Sequence, residues 1–227
     1  MKTCGLIGGM SWESSVEYYK IINEEINKKL GHLHSGKIIL FSVDFEEIAI
    51  QQKMGDWSGS AKILANAAKA LENAGADFVM IATNTMHKVA DEVQNCVDIP
   101  LIDIRDVVIE EIKKQNLKSV LLLGTKFTME DEFYVGYLKN KGVNVTVPSQ
   151  KDRDLIHKVI FDELCIGITK NSSKNEFLRI INSYNVDGVI LGCTEIGMLI
   201  KQDDLNIKVL DTTVLHAKKA VEIMLRD

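Results

Sequence analysis

The sequence contains no run of about 18 apolar residues and no stretch rich in Lys and Arg. The first absence argues against a membrane-spanning helix, and the second argues against nucleic acid as a partner. The formal net charge of −5 points the same way. Met1-Lys2 is followed at once by a short apolar run and glycines, without the pattern of a secretory signal. We therefore expect a cytoplasmic protein that acts on neither membranes nor nucleic acid.

The four cysteines show no C-x-x-C spacing, so zinc binding and a disulfide framework are both poorly supported. They are Cys4, Cys96, Cys165 and Cys193. The first three lie within or near expected strands and helices, where a cysteine behaves as a small buried apolar residue. Cys193 differs, because it stands at the end of an apolar run inside Gly-Cys-Thr-Glu. No metal-ligand cluster and no lysine motif for pyridoxal phosphate is present, so we predict no cofactor.

Two short polar stretches, each at the end of an apolar run, carry the strongest signal. The first is Thr83-Asn84-Thr85-Met86-His87 and the second is Cys193-Thr194-Glu195. The two runs begin at Asp77 and Asp187, which lie 110 residues apart, and Thr83 and Cys193 have the same separation. Parallel strands present side chains at their C-terminal ends, where open α/β sheets place their chemistry. The pattern predicts a duplicated domain with one reactive residue from each copy.

A second repeat of apolar run, glycine turn and helix start supports the duplication. Gly8-Gly9-Met10 and Gly124-Thr125-Lys126 each follow an apolar run, and their first glycines lie 116 residues apart. We expect Ser11 and Thr128 to cap the helices that follow. The free N–H groups of such turns also suit a carboxylate or phosphate ligand.

Strand and helix periods alternate along the whole chain. Strands are expected near residues 3–8, 37–43, 77–82, 100–103, 118–123, 143–147, 187–191 and 208–210. Helices are expected near residues 12–30, 58–74, 86–95, 105–115, 129–141, 151–165, 173–183 and 213–225. This order implies βαβ units, and therefore an α/β fold of two similar three-layer domains with parallel four-stranded sheets. We place residues 1–103 and 205–227 in the first domain and 104–204 in the second.

A polar segment between the second strand and the next helix is expected to form a loop over residues 51–60. It carries Gln52 and Trp57, and it follows a strand end. Two interpretations stay open: a mobile loop that overhangs a site, or a surface connection anchored by the tryptophan.

Cys193 is the strongest candidate for a nucleophile or base. A thiol with an ordinary pKa of about 8.5 is only a few per cent ionised at neutral pH. A cation such as Lys126 would increase that fraction, but Lys126 would equally bind a substrate carboxylate or face water. Asn84, Thr85 and Thr194 offer amide and hydroxyl groups to a small substrate.

Three further polar residues have two interpretations each. Glu195 would act as an acid/base partner or cap the following helix, with capping slightly favoured. His87 would tune the site or serve as a hydrogen-bonded helix residue. Asp211 is expected to be a helix cap.

Taken together, these stretches resemble the aspartate/glutamate racemase superfamily over nearly the whole chain. The matching segments are residues 8–12, 83–87, 123–125 and 192–195. The resemblance implies two α/β domains related by a pseudo-twofold axis, with the active site between them. It also implies cofactor-independent racemisation of an amino acid and a homodimer.

In that family two cysteines flank the substrate α-carbon: one thiolate removes the α-proton, and the other thiol supplies a proton to the opposite face. The second position maps to Cys193, whereas the first maps to Thr83, a departure that some resembling subfamilies share. A threonine hydroxyl is a poor base at neutral pH. We therefore expect Cys193 to take the proton and Thr83 to donate or relay one.

The substrate is expected to be aspartate or glutamate, with a neutral or hydroxylated amino acid kept open. Aspartate-specific members hold the distal carboxylate with basic residues; Cys165 occupies one of these positions, and the region of Phe45 lacks the other. Gln52 or Lys126 would substitute for them. The predicted substrate-binding residues are Gly9, Met10, Gln52, Asn84, Thr85, Thr125, Lys126, Thr194 and Glu195.

Two alternatives to racemisation remain at this point. One is another activity of the same superfamily, a single-thiol isomerase or decarboxylase of a small dicarboxylate. The other is an amino-acid-binding protein without catalysis, in which Thr83 marks lost chemistry.

Overall fold

The computed structural model describes residues 1–226, which form two parallel sheets of four strands each. The strands are β1 (Cys4–Gly8), β2 (Ile38–Ser42), β3 (Phe78–Ile81), β4 (Leu101–Ile102), β5 (Val120–Gly124), β6 (Val145–Thr146), β7 (Gly188–Gly192) and β8 (Lys208–Asp211). The helices are α1 (Trp12–Leu30), α2 (Phe45–Met54), α3 (Trp57–Asn73), α4 (Ala90–Gln94), α5 (Ile104–Lys114), α6 (Lys126–Glu130), α7 (Val135–Asn140), α8 (Gln150–Asp162), α9 (Asn171–Asn182), α10 (Ile196–Leu199) and α11 (Thr212–Met224). Short 3-10 helices span Thr85–Val89, Leu164–Ile166 and Gln202–Asp204.

The two sheets have the same topology, which confirms the predicted α/β class and the internal repeat. Their strand orders are β2-β1-β3-β4 and β6-β5-β7-β8. Cys4 lies opposite Phe78 in the first sheet, and Val120 lies opposite Gly188 in the second. These pairs differ by 116 and 110 residues, the two offsets found in the sequence. One register therefore recurs in both halves of the chain.

An aspartate fixes the start of the two central strands in each sheet. The backbone N–H of Thr3 donates to Asp77 Oδ2 at 2.6 Å. The N–H groups of Lys118 and Ser119 donate to Asp187 Oδ2 at 2.7 and 2.9 Å. These backbone donors stabilise the ionised carboxylate and hold the pKa of Asp187 below its usual range. Asp77, which precedes β3, and Asp187, which precedes β7, therefore have the same structural role in the two halves.

The first sheet is covered by helices on both faces, so this unit has three layers. Apolar side chains of β1 and β3 alternate between the faces, as the strand period requires. Leu6 and Met80 pack against α1 and α11, whereas Ile7 and Ile81 pack against α2 and α3. The central strands are buried along their whole length. Parallel strands of this kind need cover on both sides.

In the second sheet, β5 and β7 are likewise buried along their whole length. Leu121, Leu123, Val189 and Leu191 form one core with α8, α9 and α10. Phe177 of α9 is among the largest fully buried side chains of that core. None of the helices described over residues 1–226 is both long and apolar enough to cross a membrane.

The chain divides into two compact units whose limits differ from the sequence expectation. The first unit is Met1–Ile104 with the segment that starts at His216, and the second is Arg105–Leu215. The expectation assigned the last strand to the first domain. Instead β8 pairs with β7, Val189 opposite Val209, and completes the second sheet. Only the part of α11 from His216 onward packs on the first sheet.

Three local predictions are also corrected by the structure. Ser11 precedes α1 directly, but its side chain makes no cap hydrogen bond to that helix. The segment predicted as a loop over 51–60 is helical except at Gly55 and Asp56, where α2 ends and α3 begins. Gly55 adopts a left-handed conformation there, which favours glycine. The cap of the helix after β5 is Thr125 rather than Thr128, because Thr125 Oγ1 accepts the N–H of Thr128 at 3.3 Å.

Candidate functional site

The end of β1 makes a turn that only glycine accommodates. Gly9 has a φ of +94°, and a Cβ there would lie 2.3 Å from the carbonyl oxygen of Val43. Its N–H donates to Ser15 Oγ at 2.8 Å, and that hydroxyl donates to the Ser11 carbonyl at 3.1 Å. The Gly9 N–H, predicted to hold an anion, therefore already has an acceptor within the protein. Met10 is buried beside this turn.

The end of β3 places Thr83-Asn84-Thr85-Met86-His87 next to the same turn. We call this stretch the first signature motif and Cys193-Thr194-Glu195 the second. Ser14 Oγ of α1 donates to the carbonyl of Ala82 at 3.2 Å, the residue before Thr83. Thr83 itself is half-buried, and no side-chain hydrogen bond joins its hydroxyl to another described residue. Asn84 and Thr85 follow as buried residues. The hydroxyl of Thr83 is thus left available at the strand end, as the sequence predicts.

Gln52 lies against this motif, although it reaches it from a helix. Its Nε2 is buried and sits 3.2 Å from the sulfur of Met86. Met86 belongs to the short helix that follows Thr83. Gln52 and the first signature motif are therefore brought together within the first unit.

His87 ties the end of β3 to the start of α5. Its Nε2 accepts the backbone N–H of Ile104 at 3.2 Å, so Nδ1 carries the proton and donates to the Thr83 carbonyl at 2.9 Å. This pair of contacts fixes a neutral tautomer. Of the two interpretations of His87, the hydrogen-bonded structural one is observed, and its acceptor is the backbone of Thr83.

A second buried histidine supports the same region. The Nδ1 of His216 lies 2.8 Å from the Tyr18 hydroxyl, and its Nε2 lies 2.8 Å from the Ile102 carbonyl. A carbonyl can only accept, so Nε2 is protonated and Nδ1 accepts from Tyr18. Burial, and then the neighbouring His87, lower the pKa of His216 to about 3. No sequence pattern predicts this network beyond the presence of the two histidines.

In the second unit, Cys193 and Glu195 form a hydrogen-bonded pair at the end of β7. The thiol of Cys193 donates to Glu195 Oε2 at 2.9 Å. The hydroxyl of Thr194 donates to the same oxygen, also at 2.9 Å. All three residues are buried. Glu195 makes no side-chain cap to α10, so the favoured capping role is wrong and the acid/base interpretation remains.

The surroundings of Cys193 stabilise its neutral thiol. Burial raises the pKa of Cys193 well above its ordinary value, and the charge of Glu195 raises it further. Cys165 acts in the same direction as a weaker third cause. A carboxylate disfavours a second negative charge next to it. The free protein therefore holds Cys193 as a thiol at neutral pH.

Lys126 does not supply the cation that would offset this effect. Its ammonium pairs with Asp154, and its backbone N–H donates to His157 Nδ1 at 3.2 Å. Burial lowers the pKa of His157, and the charge of Lys126 lowers it further. Thr125, the helix cap, is buried beside it. These two predicted substrate contacts thus have structural partners within the second unit.

Cys4 and Asp211 have the structural roles that the sequence predicts for them. Cys4 is fully buried in β1 with its sulfur 3.7 Å from that of Met80, and burial raises the pKa of its thiol to about 12. Asp211 Oδ1 accepts the N–H groups of Thr213 and Val214 at 3.0 and 3.2 Å, which confirms its role as a cap. Within residues 1–226, no group of three or more metal-ligating side chains forms a possible metal site.

Two groups of residues near the strand ends were not identified from the sequence. Ser14 and Ser15 hold the turns after β1 and β3, and Tyr18 and His216 form the buried network below them. The two serines follow the glycine turn directly, so their position was the available signal. The histidine pair joins residues far apart in the chain, and no local pattern reveals it.

A family model described as Asp/Glu/Hydantoin racemase matches residues 7–220 of the chain. Among solved structures, a Yersinia pestis protein assigned as an Asp/Glu racemase is 45% identical, with a TM-score of 0.91 over 100% of both chains. An aspartate racemase homologue from Pyrococcus horikoshii OT3 is 41% identical, with a TM-score of 0.88 over 100% of both chains. The broad specificity amino-acid racemase RacX of Bacillus subtilis is 25% identical over 174 residues, 72% of each chain.

We expect His216 to make stability depend on pH. The folded protein holds this imidazole at a pKa of about 3, whereas an unfolded histidine titrates near 6.5. Between these values the unfolded chain binds the extra proton, so the free energy of unfolding rises with pH, by up to about 1.4 kcal/mol per pH unit. His216→Gln should flatten this slope between pH 4 and 6, measured by urea unfolding.

The matched control is His32→Gln, which alters an exposed loop histidine. It should retain the slope of the unaltered protein. Equal slopes for His216→Gln and the unaltered protein would show that His216 is not held neutral by the fold.

Proposed function

Since the chain belongs to the Asp/Glu/Hydantoin racemase family, we propose that it racemises aspartate or glutamate without a cofactor, using Cys193 and Thr83. The family match and the names of the similar proteins support an amino-acid racemase. The observation that carries the proposal is the hydrogen bond from the Cys193 thiol to Glu195. It gives the thiol a route to the ionised state that an α-proton abstraction requires.

The Cys193 thiol gives its proton to the Glu195 carboxylate along the 2.9 Å hydrogen bond, leaving a thiolate and a neutral carboxylic acid. The thiolate then takes the α-proton of the substrate and becomes a thiol again, while the α-carbon becomes a carbanion. A proton donated or relayed by the Thr83 hydroxyl on the opposite face gives the other enantiomer. The Glu195 acid then releases its extra proton to water and Thr83 regains one from water, which restores the starting state.

Transfer within the pair conserves its buried charge. If Cys193 lost its proton to water, two negative charges would stand side by side in a buried place, which is costly. If the proton moves to Glu195, the pair keeps one negative charge until the thiolate takes the α-proton, and the charge then passes to the substrate. Ordinary pKa values of a thiol and a carboxyl differ by about 4 units, equivalent to roughly 6 kcal/mol. The resting state is therefore the Cys193 thiol beside the Glu195 carboxylate. The thiolate beside the neutral Glu195 acid is a minor state, and it is this state that reacts with the substrate.

Thr83 is proposed to donate or relay the proton on the opposite face. Its hydroxyl has no acceptor or donor among the side chains and backbone groups of residues 1–226. A hydroxyl cannot act as the base in the reverse direction at neutral pH. Cys193 is therefore expected to exchange the α-proton of one enantiomer quickly, whereas exchange of the α-proton that faces Thr83 is slow. Because enantiomers have equal free energy, this asymmetry appears in the exchange rates and not in kcat/KM for racemisation.

The substrate contacts remain predictions from the resemblance. Gln52, Asn84, Thr85 and Thr194 are buried polar groups at or beside the two signature motifs, and they support recognition of a small polar molecule. Lys126 is paired with Asp154, so Gln52 is the better candidate to bind a distal carboxylate. A homodimer in the cytoplasm is the expected form.

Solvent deuterium exchange tests the central step. The protein, incubated in heavy water with each enantiomer of aspartate and glutamate, should place deuterium on the α-carbon, detected by NMR. Cys193→Ala should abolish this incorporation because the base is lost. Cys96→Ala, which removes a half-buried thiol in the turn after α4, should retain it.

Binding of an amino acid without any incorporation would favour the amino-acid-binding protein instead. Loss of a carboxyl group as carbon dioxide from a dicarboxylate, dependent on Cys193, would favour the decarboxylase. Exchange that survives Cys193→Ala would exclude Cys193 as the base.

Glu195→Gln separates two effects of the carboxylate. The glutamine cannot take up the thiol proton, so α-exchange should fall by about 10²–10⁴-fold. The same change removes the negative charge that raises the pKa of Cys193. Alkylation of Cys193 by iodoacetamide should therefore shift to lower pH while exchange is lost, measured in a Cys165→Ala background.

A neighbour that only repels the thiolate would give the opposite pattern. In that case Glu195→Gln would speed exchange together with alkylation. A fall in both rates with no shift in the alkylation profile would indicate a structural defect and contradict the proton-acceptor role.

Thr83→Cys tests the asymmetry. A thiol at this strand end can serve as a base in the slow direction, so exchange from the slow enantiomer should rise by at least about tenfold. Initial rates from the L and D forms, measured separately, give the ratio. Thr83→Ser, which keeps the hydroxyl, should preserve the ratio of the unaltered protein. Equal rates from both enantiomers in the unaltered protein would refute the asymmetry.

A further inference from the structure

The first unit exposes a row of large apolar side chains along one face of α1. Trp12 is 64% exposed, Val16 52% and Tyr19 56%. Residues spaced by three and four positions lie on the same side of a helix, so these three form a continuous stripe. The opposite face of α1, with Tyr18, Ile22 and Ile26, is buried in the core. The stripe is thus an apolar surface that is additional to the one needed for folding.

The edge strand β2 extends this surface. β2 has β1 as its only neighbour in the described sheet, and Leu40 on it is 45% exposed. A Cβ on Gly8 would touch both Leu40 and Ser15 of α1, which places Leu40 on the α1 side of the sheet. We call this surface the α1 patch; it consists of Trp12, Val16, Tyr19 and Leu40.

The size of the α1 patch is close to what a stable dimer requires. A fully exposed aromatic side chain presents about 150–250 Å², so the patch offers roughly 400 Å² of apolar surface. A standard interface covers about 800 Å² on each partner, and a little over half of that is apolar. The patch is as large as the largest apolar patch of a typical monomer, about 300–600 Å², and such a patch is often functional.

The pattern of the α1 patch suits a second copy of the same chain. The aromatic residues lie at its two ends, and the aliphatic Val16 lies near its middle. In a two-fold contact between antiparallel α1 helices, Trp12 of each copy meets Tyr19 of the other, and the two Val16 side chains meet near the axis. Lys20, exposed next to Tyr19, then lies near the partner copy's Trp12, where a cation is favourable.

We propose that the α1 patch is the interface of a homodimer in which two α1 helices pack antiparallel about a two-fold axis near Val16. The inference goes beyond the proposed function, because the resemblance implies a dimer but names no surface. The proposed interface is tested by the mass of the protein in solution. That mass does not depend on whether the protein racemises an amino acid.

Light scattering after gel filtration should give twice the chain mass of 25.4 kDa for the unaltered protein. Val16→Glu and Val16→Lys each place two like charges at the axis, and each should weaken dimerisation by about 100-fold or more. An equimolar mixture of the two variants pairs opposite charges and should recover the dimer mass.

The control is Leu33→Glu, which alters the most exposed large apolar side chain, 98% exposed, in a loop away from the patch. It should leave the dimer unchanged. Circular dichroism and thermal unfolding report whether each variant is folded. A monomeric unaltered protein would overturn the proposal, and so would folded Val16 variants that remain dimeric alone or fail to recover on mixing.

Discussion

Parallel pairing of the two central strands in each sheet is the constraint on which the candidate chemistry depends. Because β1 and β3 run in the same direction, the glycine turn and Thr83 emerge at one edge of the first sheet. The same pairing of β5 and β7 brings Thr125 and Cys193 to the equivalent edge of the second. Asp77 and Asp187 hold the opposite ends of these strands in register. A slip of one residue would turn each signature side chain to the other face.

The sequence predicted the architecture well because the information that specifies it is local. Each strand is an apolar run that ends at a glycine or polar motif, and the offsets of 110 and 116 residues survive as a shared strand register. The placement of β8 was harder to predict. A short apolar segment such as Lys208-Val209-Leu210 fits the edge of either sheet, and only the tertiary pairing with β7 decides between them. The missed helix α2 carries Gln51 and Gln52, whose polarity resembled that of a loop.

Site chemistry was predictable in residue identity but not in electrostatics. The motif identified Cys193, Thr194 and Glu195, yet the spacing allowed two interpretations of Glu195 and slightly favoured capping. The choice depends on a side-chain rotamer: the carboxylate turns to the thiol and not to the helix N–H groups. Lys126 was expected as a possible cation for Cys193, but a partner 28 residues later in the chain, Asp154, takes its charge. Pairing of that kind is set by the packing of α6 and α8 and leaves no mark on the local sequence.

The two signature strand ends are built alike in backbone and oppositely in chemistry. At Thr83, a neutral histidine donates to the main chain, and the side-chain hydroxyl has no hydrogen-bond partner among residues 1–226. At Cys193, a carboxylate engages the side chain itself and determines where its proton goes. Two identical ends would exchange the α-protons of both enantiomers at similar rates. Of the two ends, that at Cys193 combines an ionisable group with a proton acceptor, so under the proposed mechanism the two enantiomers exchange their α-protons at different rates although their free energies are equal.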